Sequence, residues 1–131
     1  MDVGKLHFAH GLFLAPMAGV TDKSFRALCR DYGAEGVFAE MVSSRALTFG
    51  DTKTHLLAET SETEHPVFLQ LFGNDPETMA KGALALLKYQ PDGIDINMGC
   101  PAHKIAGVTD AGFAKMIMAA HERANAETGG N

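Results

Sequence analysis

Between Pro66 and Phe72 the chain runs Pro-Val-Phe-Leu-Gln-Leu-Phe, an almost unbroken apolar stretch of strand length. A strand that meets water on one face alternates apolar with polar residues. One covered on both faces has no need to, so this stretch predicts a strand buried on both sides. Such strands belong mostly to parallel sheets, where every return to the next strand requires a crossover, usually a helix, that packs onto the sheet. Only Gln70 interrupts the run, and a side-chain amide in those surroundings needs a partner.

The flanking segments carry the crossovers that this reading demands. Residues 12–15 are a short apolar run ending at Pro16-Met17-Ala18-Gly19. Phe25, Leu28, Cys29 and Tyr32 then recur at helical spacing, with Thr21 or Asp22 to cap the start and Gly33 to close the end. Gly36-Val37-Phe38-Ala39 reads as the next strand, Glu40 to Ser44 as its loop and residues 45–49 as a short helix. A polar connector over residues 50–65 holds a further turn at 54–59. After Gly73, Asn74 or Asp75 caps a helix whose first position suits Pro76, with Met79, Ala83, Leu86 and Leu87 as its apolar stripe. Pro91 and Asp92 turn the chain into a strand over residues 93–96, and a last helix is expected over 111–124 with Phe113, Met116, Ile117 and Ala120 on one face. Four strand–helix repeats give an α/β fold with a parallel sheet, either open or the first half of a TIM-type (β/α)8 barrel.

In both architectures the loops at the C-terminal ends of the strands build the site. Residues 15–18, Glu40-Met41, Gln70 and residues 97–100 all fall at that end. The last of these follows Gly93-Ile94-Asp95-Ile96, where the strand breaks through Gly99 and Pro101 and leaves Asn97 and Cys100 facing a pocket. A thiol and an amide at that position suit proton transfer and the orientation of a polar ligand.

The 131 residues, 46% of them hydrophobic, suffice for one domain over residues 1–131. The start of the chain lacks the basic and long apolar segments of a secretion signal, no run is long enough to span a membrane, and a cytoplasmic location is expected. Cys29 and Cys100 form no Cys-x-x-Cys pair. Cys29 is expected to be a small buried residue of its helix, and the scattered histidines suggest no metal site. A formal charge of -5 gives the whole chain no electrostatic footprint for nucleic acid, so most of the grip on an RNA phosphate backbone would have to come from elsewhere. Glu40 either orients pocket groups or is a solvated edge carboxylate. His103 and Lys104 are read as a surface basic pair.

Leu14-Ala15-Pro16-Met17-Ala18-Gly19-Val20-Thr21-Asp22, Glu40-Met41-Val42-Ser43-Ser44, Gln70-Leu71-Phe72-Gly73 and Asp95-Ile96-Asn97-Met98-Gly99-Cys100-Pro101 together resemble the tRNA-dihydrouridine synthases, above all the bacterial B type. The resemblance covers about residues 12–105. It implies a flavoprotein with an FMN-binding (β/α)8 barrel, using NADPH to reduce the flavin and the reduced flavin to saturate the C5–C6 bond of a uridine in tRNA. By position, Pro16, Met17 and Ala18 would lie against the isoalloxazine, Gln70 would hydrogen-bond its polar edge and Asn97 would help position flavin and substrate. Cys100 would be the general acid at C5. A relative of the dihydroorotate dehydrogenases is disfavoured by the joint presence of the first and last blocks.

Two departures from the family pattern bear on function. Ala106-Gly107-Val108-Thr109-Asp110 repeats Ala18 to Asp22 word for word where the family has a Gly-rich loop. The resemblance also leaves the second half of the barrel, its flavin-contacting lysine, its phosphate loops and the helical tRNA-binding domain without a counterpart. The expectation is weak or no retention of FMN and no reduction of tRNA by this chain alone. The alternative reading is a half-barrel acting as a binding scaffold or as a homo-oligomer through exposed sheet edges.

Overall fold

A computed structural model describes residues 1–99. The chain begins with a hairpin of two short strands, β1 (Asp2–Val3) and β2 (Leu6–His7), then enters β3 (Phe13–Leu14) and α1 (Lys23–Asp31). It continues through β4 (Gly36–Phe38), β5 (Val42–Ser43), α2 (Ser44–Thr48), α3 (Thr52–Leu57), β6 (Val67–Phe72), α4 (Pro76–Leu86) and β7 (Gly93–Ile96). The helix expected over 111–124 lies outside the described residues.

The apolar stretch at 67–72 is the strand that others pair with on both edges. β7 lies along one edge, with Gln70 opposite Asp95 and Leu71 opposite Ile96. β4 and β5 share the other edge, with Val37 opposite Val67 and Val42 opposite Leu71. Between those two pairs the β4–β5 side advances five residues and β6 four, so one extra residue is accommodated near Glu40, as in a β-bulge. β3 pairs with β4, and every pairing in this sheet is parallel. Strand order thus follows chain order with helices in between, and the architecture is that of the first half of a TIM-type (β/α)8 barrel.

Each face of the sheet is packed differently. Leu69 and Leu71 of β6 join Val42, Leu47, Met79, Ala80 and Leu86 in a buried cluster under the helices. On the other face Phe8, Phe13, Phe38 and Phe68 form a chain of rings, with centroids 4.7, 6.2 and 4.8 Å apart in succession. Glycine makes that chain of rings fit: a Cβ at Gly36 would stand 2.9 Å from the Phe13 ring, and one at Gly93 2.7 Å from Phe68. The Asp92 carboxylate holds the start of both strands by accepting from Val67 N at 2.8 Å and contacting His65 Nδ1 at 2.6 Å.

The caps read from the sequence resolve to one residue each. Asp22 accepts from Phe25 N at 2.8 Å, and Asp75 from Thr78 N at 2.8 Å with Pro76 next. Gly33, at φ +99°, closes α1 in the left-handed conformation that glycine adopts without strain.

The stripe expected on α1 needs correction. Leu28 is 50% and Tyr32 85% exposed among the described residues, Cys29 is half-buried, and the one residue of α1 that is buried is Arg26. On α4 the expected stripe holds for Met79 and Leu86, while Leu87 lies beyond the helix and is exposed. The N-terminal hairpin has no counterpart in the sequence reading, because two-residue strands carry too little periodicity to be seen. No described helix is long and apolar enough to cross a membrane.

Glu35 anchors the segment that joins the hairpin to β3. Its carboxylate accepts from the backbone N–H groups of Ala9, His10, Gly11 and Leu12. Partial desolvation pushes this carboxyl up, but the four amides together outweigh it and hold the group below its ordinary value of 4.5. Stability from such a depressed carboxyl is present above the ordinary value and fades as pH falls through the folded-state value. Glu35→Gln should therefore lower the melting temperature at pH 7, with the gap to the wild type closing as pH drops below about 4.5 in a series of thermal melts.

Candidate functional site

The site is built on the face of β6 that carries Phe68, one step nearer the C-terminal end. There the side chain is Gln70, 7% exposed, and the register puts Asp95 beside it. Gln70 Nε2 donates to Asp95 Oδ2 at 2.5 Å. Its Oε1 accepts from Asn97 Nδ2 at 3.1 Å, and the same Nδ2 lies 3.5 Å from Met41 Sδ. Asn97 Oδ1 then accepts from Gly99 N at 3.1 Å, an Asx turn that folds the chain at the end of β7. The partner that the sequence demanded for Gln70 is thus a carboxylate below and an amide above.

A second part of the site is the turn after β3. Met17 O accepts from Val20 N and Thr21 N, both at 3.0 Å, and Gly19 at the tip takes φ +74°. Thr21, fully buried, closes the turn from inside: its Oγ1 accepts from Met17 N at 3.0 Å and donates to Met17 O at 3.2 Å. Pro16 is half-buried, Met17 is 40% exposed and Ala18 is exposed, so the turn offers a surface to a ligand.

Glu40 and Met41, at the extra residue between β4 and β5, link the two parts. Glu40 accepts from Gly19 N, and the neighbouring Met41 touches Asn97. The Glu40 carboxylate is therefore bonded to the backbone of the turn and not merely solvated.

Behind the turn sits a buried ion pair. Arg26 Nε donates to Glu64 Oε2 at 2.6 Å, with both side chains excluded from water. Its remaining donors reach Thr21 O at 2.8 Å and Glu59 O at 2.7 Å, while Glu64 Oε1 also accepts from Ser61 N at 2.5 Å. The guanidinium fork and the carboxylate are thus almost fully satisfied, the condition under which a buried pair is tolerated. A line of contacts runs from Glu64 through Arg26 and Thr21 to Met17.

Of the residues singled out from the sequence, Gln70 and Asn97 are brought into direct contact. Residues 16–18 reach the same end of the sheet through Glu40, and Cys100 lies outside the described residues, one position beyond Gly99. Sequence reasoning did not pick out Asp95, Met41, Thr21, Arg26 or Glu64 for these roles. Asp95 was visible as a polar residue at i-2 from Asn97 on one strand face, but its pairing with Gln70 depends on register. Arg26 showed itself only as a charge inside an apolar helical pattern.

The family model described as dihydrouridine synthase matches residues 13–119. The chain belongs to the dihydrouridine synthase family. Among the curated relatives of this chain is tRNA-dihydrouridine synthase B of Pasteurella multocida, 40% identical over 105 residues, which are 80% of this chain and 32% of the relative. The protein of the same name from Pseudomonas syringae pv. tomato is 43% identical over 103 residues, 79% of this chain and 31% of the relative. That from Xanthomonas axonopodis pv. citri is 39% identical over 117 residues, 88% and 35%. The chain thus spans about a third of the length of the curated relatives it matches.

A cleft of about 810 Å3 lies elsewhere in this family member, between the starts of α2 and α4 beside Arg45, Phe49, Phe72 and Thr78. It shares no residue with the Gln70–Asn97 ladder, and an N-capping carboxylate, Asp75, stands at its wall.

Removing one partner of a buried ion pair leaves the other charge uncompensated, at a cost of about 3–5 kcal/mol. Glu64→Gln should destabilise the fold by that order in urea titrations and should speed hydrogen exchange at the amides of Met17 and Thr21, which are tied to Arg26. A loss below about 1 kcal/mol with unchanged exchange would show that Met17 is held independently of the pair.

Proposed function

We propose that the residues of this chain form part of the site of an enzyme that reduces uridine to 5,6-dihydrouridine in tRNA, with FMN as its redox group and NADPH as reductant. The observation that carries the reading is the ladder Asp95–Gln70–Asn97 at the C-terminal ends of parallel strands, joined through the adjacent Met41 and Glu40 to the Met17 turn. Membership of the dihydrouridine synthase family, and relatives named tRNA-dihydrouridine synthase B, support it. A tRNA substrate makes the cytoplasm the place of work.

The donor set suits a flavin. A flat ring with carbonyls and nitrogens along one side calls for an apolar surface and a few well-placed polar groups. Pro16, Met17 and Met41 supply the apolar surface and Ala18 allows close approach of backbone, while Gln70 and Asn97 supply the amides. Both amides are already oriented by neighbours, so little reorganisation accompanies binding.

When bound and reduced, FMN supplies a hydride to C6 of the uracil. The electron pair displaced from the C5–C6 double bond then carries enolate-like charge at C5 and the adjacent carbonyl, and a proton must arrive at C5. Cys100 follows the Asn97 turn directly, and a thiol with an ordinary pKa near 8.5 is mostly protonated at neutral pH yet gives up its proton readily. Its S–H donates to C5, and the thiolate regains a proton from solvent. Asn97, fixed by Gln70 and Gly99, positions the pyrimidine against that thiol.

The test uses the aligned third of the Pasteurella multocida relative as the point of exchange. Replacing that third with this chain should give a yellow protein that forms dihydrouridine from unmodified tRNA and NADPH. Cys100→Ala in the same protein should lower uridine reduction by about 10²–10⁴-fold, the usual share of general acid catalysis, and leave NADPH-driven flavin reduction intact. A folded, colourless exchange protein would contradict the flavin assignment and favour the scaffold reading. Equal loss in both half-reactions would make Cys100 structural.

A further inference from the structure

We infer that Asp95 is a positioning residue that fixes the direction of every hydrogen bond in the site's polar ladder, up to the N–H of Gly99. The inference rests on the flavin reading only for its functional consequence.

The polarity follows from donor and acceptor chemistry. A side-chain amide is symmetric in shape, so an isolated Gln–Asn pair can bond in either of two senses. A carboxylate only accepts. Gln70 must therefore turn Nε2 toward Asp95, 2.5 Å away, and cannot turn Oε1 there without setting two acceptors face to face. With Nε2 committed, Oε1 faces the other neighbour, and Asn97 must answer with Nδ2, as it does at 3.1 Å. Asn97 Oδ1 is then the atom left to accept from Gly99 N, at 3.1 Å. The three donors Gln70 Nε2, Asn97 Nδ2 and Gly99 N all point back along the series toward one acid.

Burial makes this direction binding. Gln70 is 7% exposed and Asp95 and Asn97 are half-buried, so water is poorly placed to repair a reversed amide. Met41 Sδ, 3.5 Å from Asn97 Nδ2, is a weak acceptor and favours the same sense. In this sense Gln70 keeps its second N–H for an acceptor on a bound ring, and the turn at Gly99 is drawn toward Asn97. An amide at position 95 could serve either sense, and the ladder would lose its single direction.

The test is made on the whole chain by NMR of side-chain amides. In the wild type the Nε2 protons of Gln70 should show nuclear Overhauser contacts to the β protons of Asp95, and those of Asn97 Nδ2 should not. In Asp95→Asn the side-chain amide signals of Gln70 and Asn97 should shift or double, while that of Asn74, exposed on the β6–α4 loop, stays in place. Absence of the Gln70–Asp95 contacts in the wild type, a measurement that needs no variant, would overturn the inference. So would unchanged Gln70 and Asn97 signals in a folded Asp95→Asn protein. In the exchange protein described above, FMN titrated by quenching of its fluorescence should bind the Asp95→Asn variant about tenfold more weakly than the protein with Asp95 intact. Equal affinity for the two proteins would overturn the positioning role while leaving the flavin reading intact. The predicted contacts in the wild type with no FMN binding by the exchange protein would sink the flavin reading and leave the ladder standing.

Discussion

The parallel pairing of β6 on both edges is the constraint from which the site follows. Because side chains alternate along a strand, a slip of one residue against β7 would carry Gln70 away from Asp95 and place an isoleucine beside the amide. Register is held by what surrounds the pair. Phe68 occupies the space that Gly93 leaves open, the Asp92 carboxylate ties the starts of β6 and β7 together, and Leu69 and Leu71 are committed to the helix-side core. The polar ladder is thus positioned by apolar packing on either side of it.

Buried polar groups then set the loops. A core of leucine and methionine under the helices gives stability, but it does not dictate how the chain turns after β3. Thr21, Arg26 and Glu64 do, each excluded from water and each bonded to the next. Buried ion pairs are weak evidence for stability, since desolvation offsets most of their attraction. Here the pair reads as a specificity device: Thr21 O faces the guanidinium, and Thr21 Oγ1 holds both the N–H and the C=O of Met17. The extra residue near Glu40 serves the same purpose from the other side, putting a carboxylate under Gly19 and a thioether against Asn97.

Much of this was legible in the sequence, for identifiable reasons. The strand at 67–72 announced itself because a strand buried on both faces needs no polar alternation, that at 93–96 because its apolar and polar residues alternate, and the helices after Asp22 and Asp75 because caps are local chemistry. The convergence of Gln70 and Asn97 followed from topology alone. Properties that depend on distant pairing stayed hidden. Arg26 and Glu64 are 38 positions apart, and nothing in either neighbourhood names the other. Phe25, Leu28 and Tyr32 keep helical spacing, yet the helix turns Arg26 inward, where the Glu64 carboxylate and the carbonyls of Thr21 and Glu59 satisfy its donors. The hairpin at the N-terminus was missed because a two-residue strand has no period.

The proposed function requires that Cys100 join the Met17 turn and the Gln70–Asn97 ladder around one flavin ring. The chain's two cysteines allow this to be read directly. Alkylation of the exchange protein by iodoacetamide, followed at these two thiols by mass spectrometry with and without saturating FMN, should show Cys100 slowed several-fold by the flavin and Cys29, on α1, unaffected. Equal rates at Cys100 in the two conditions would contradict the account.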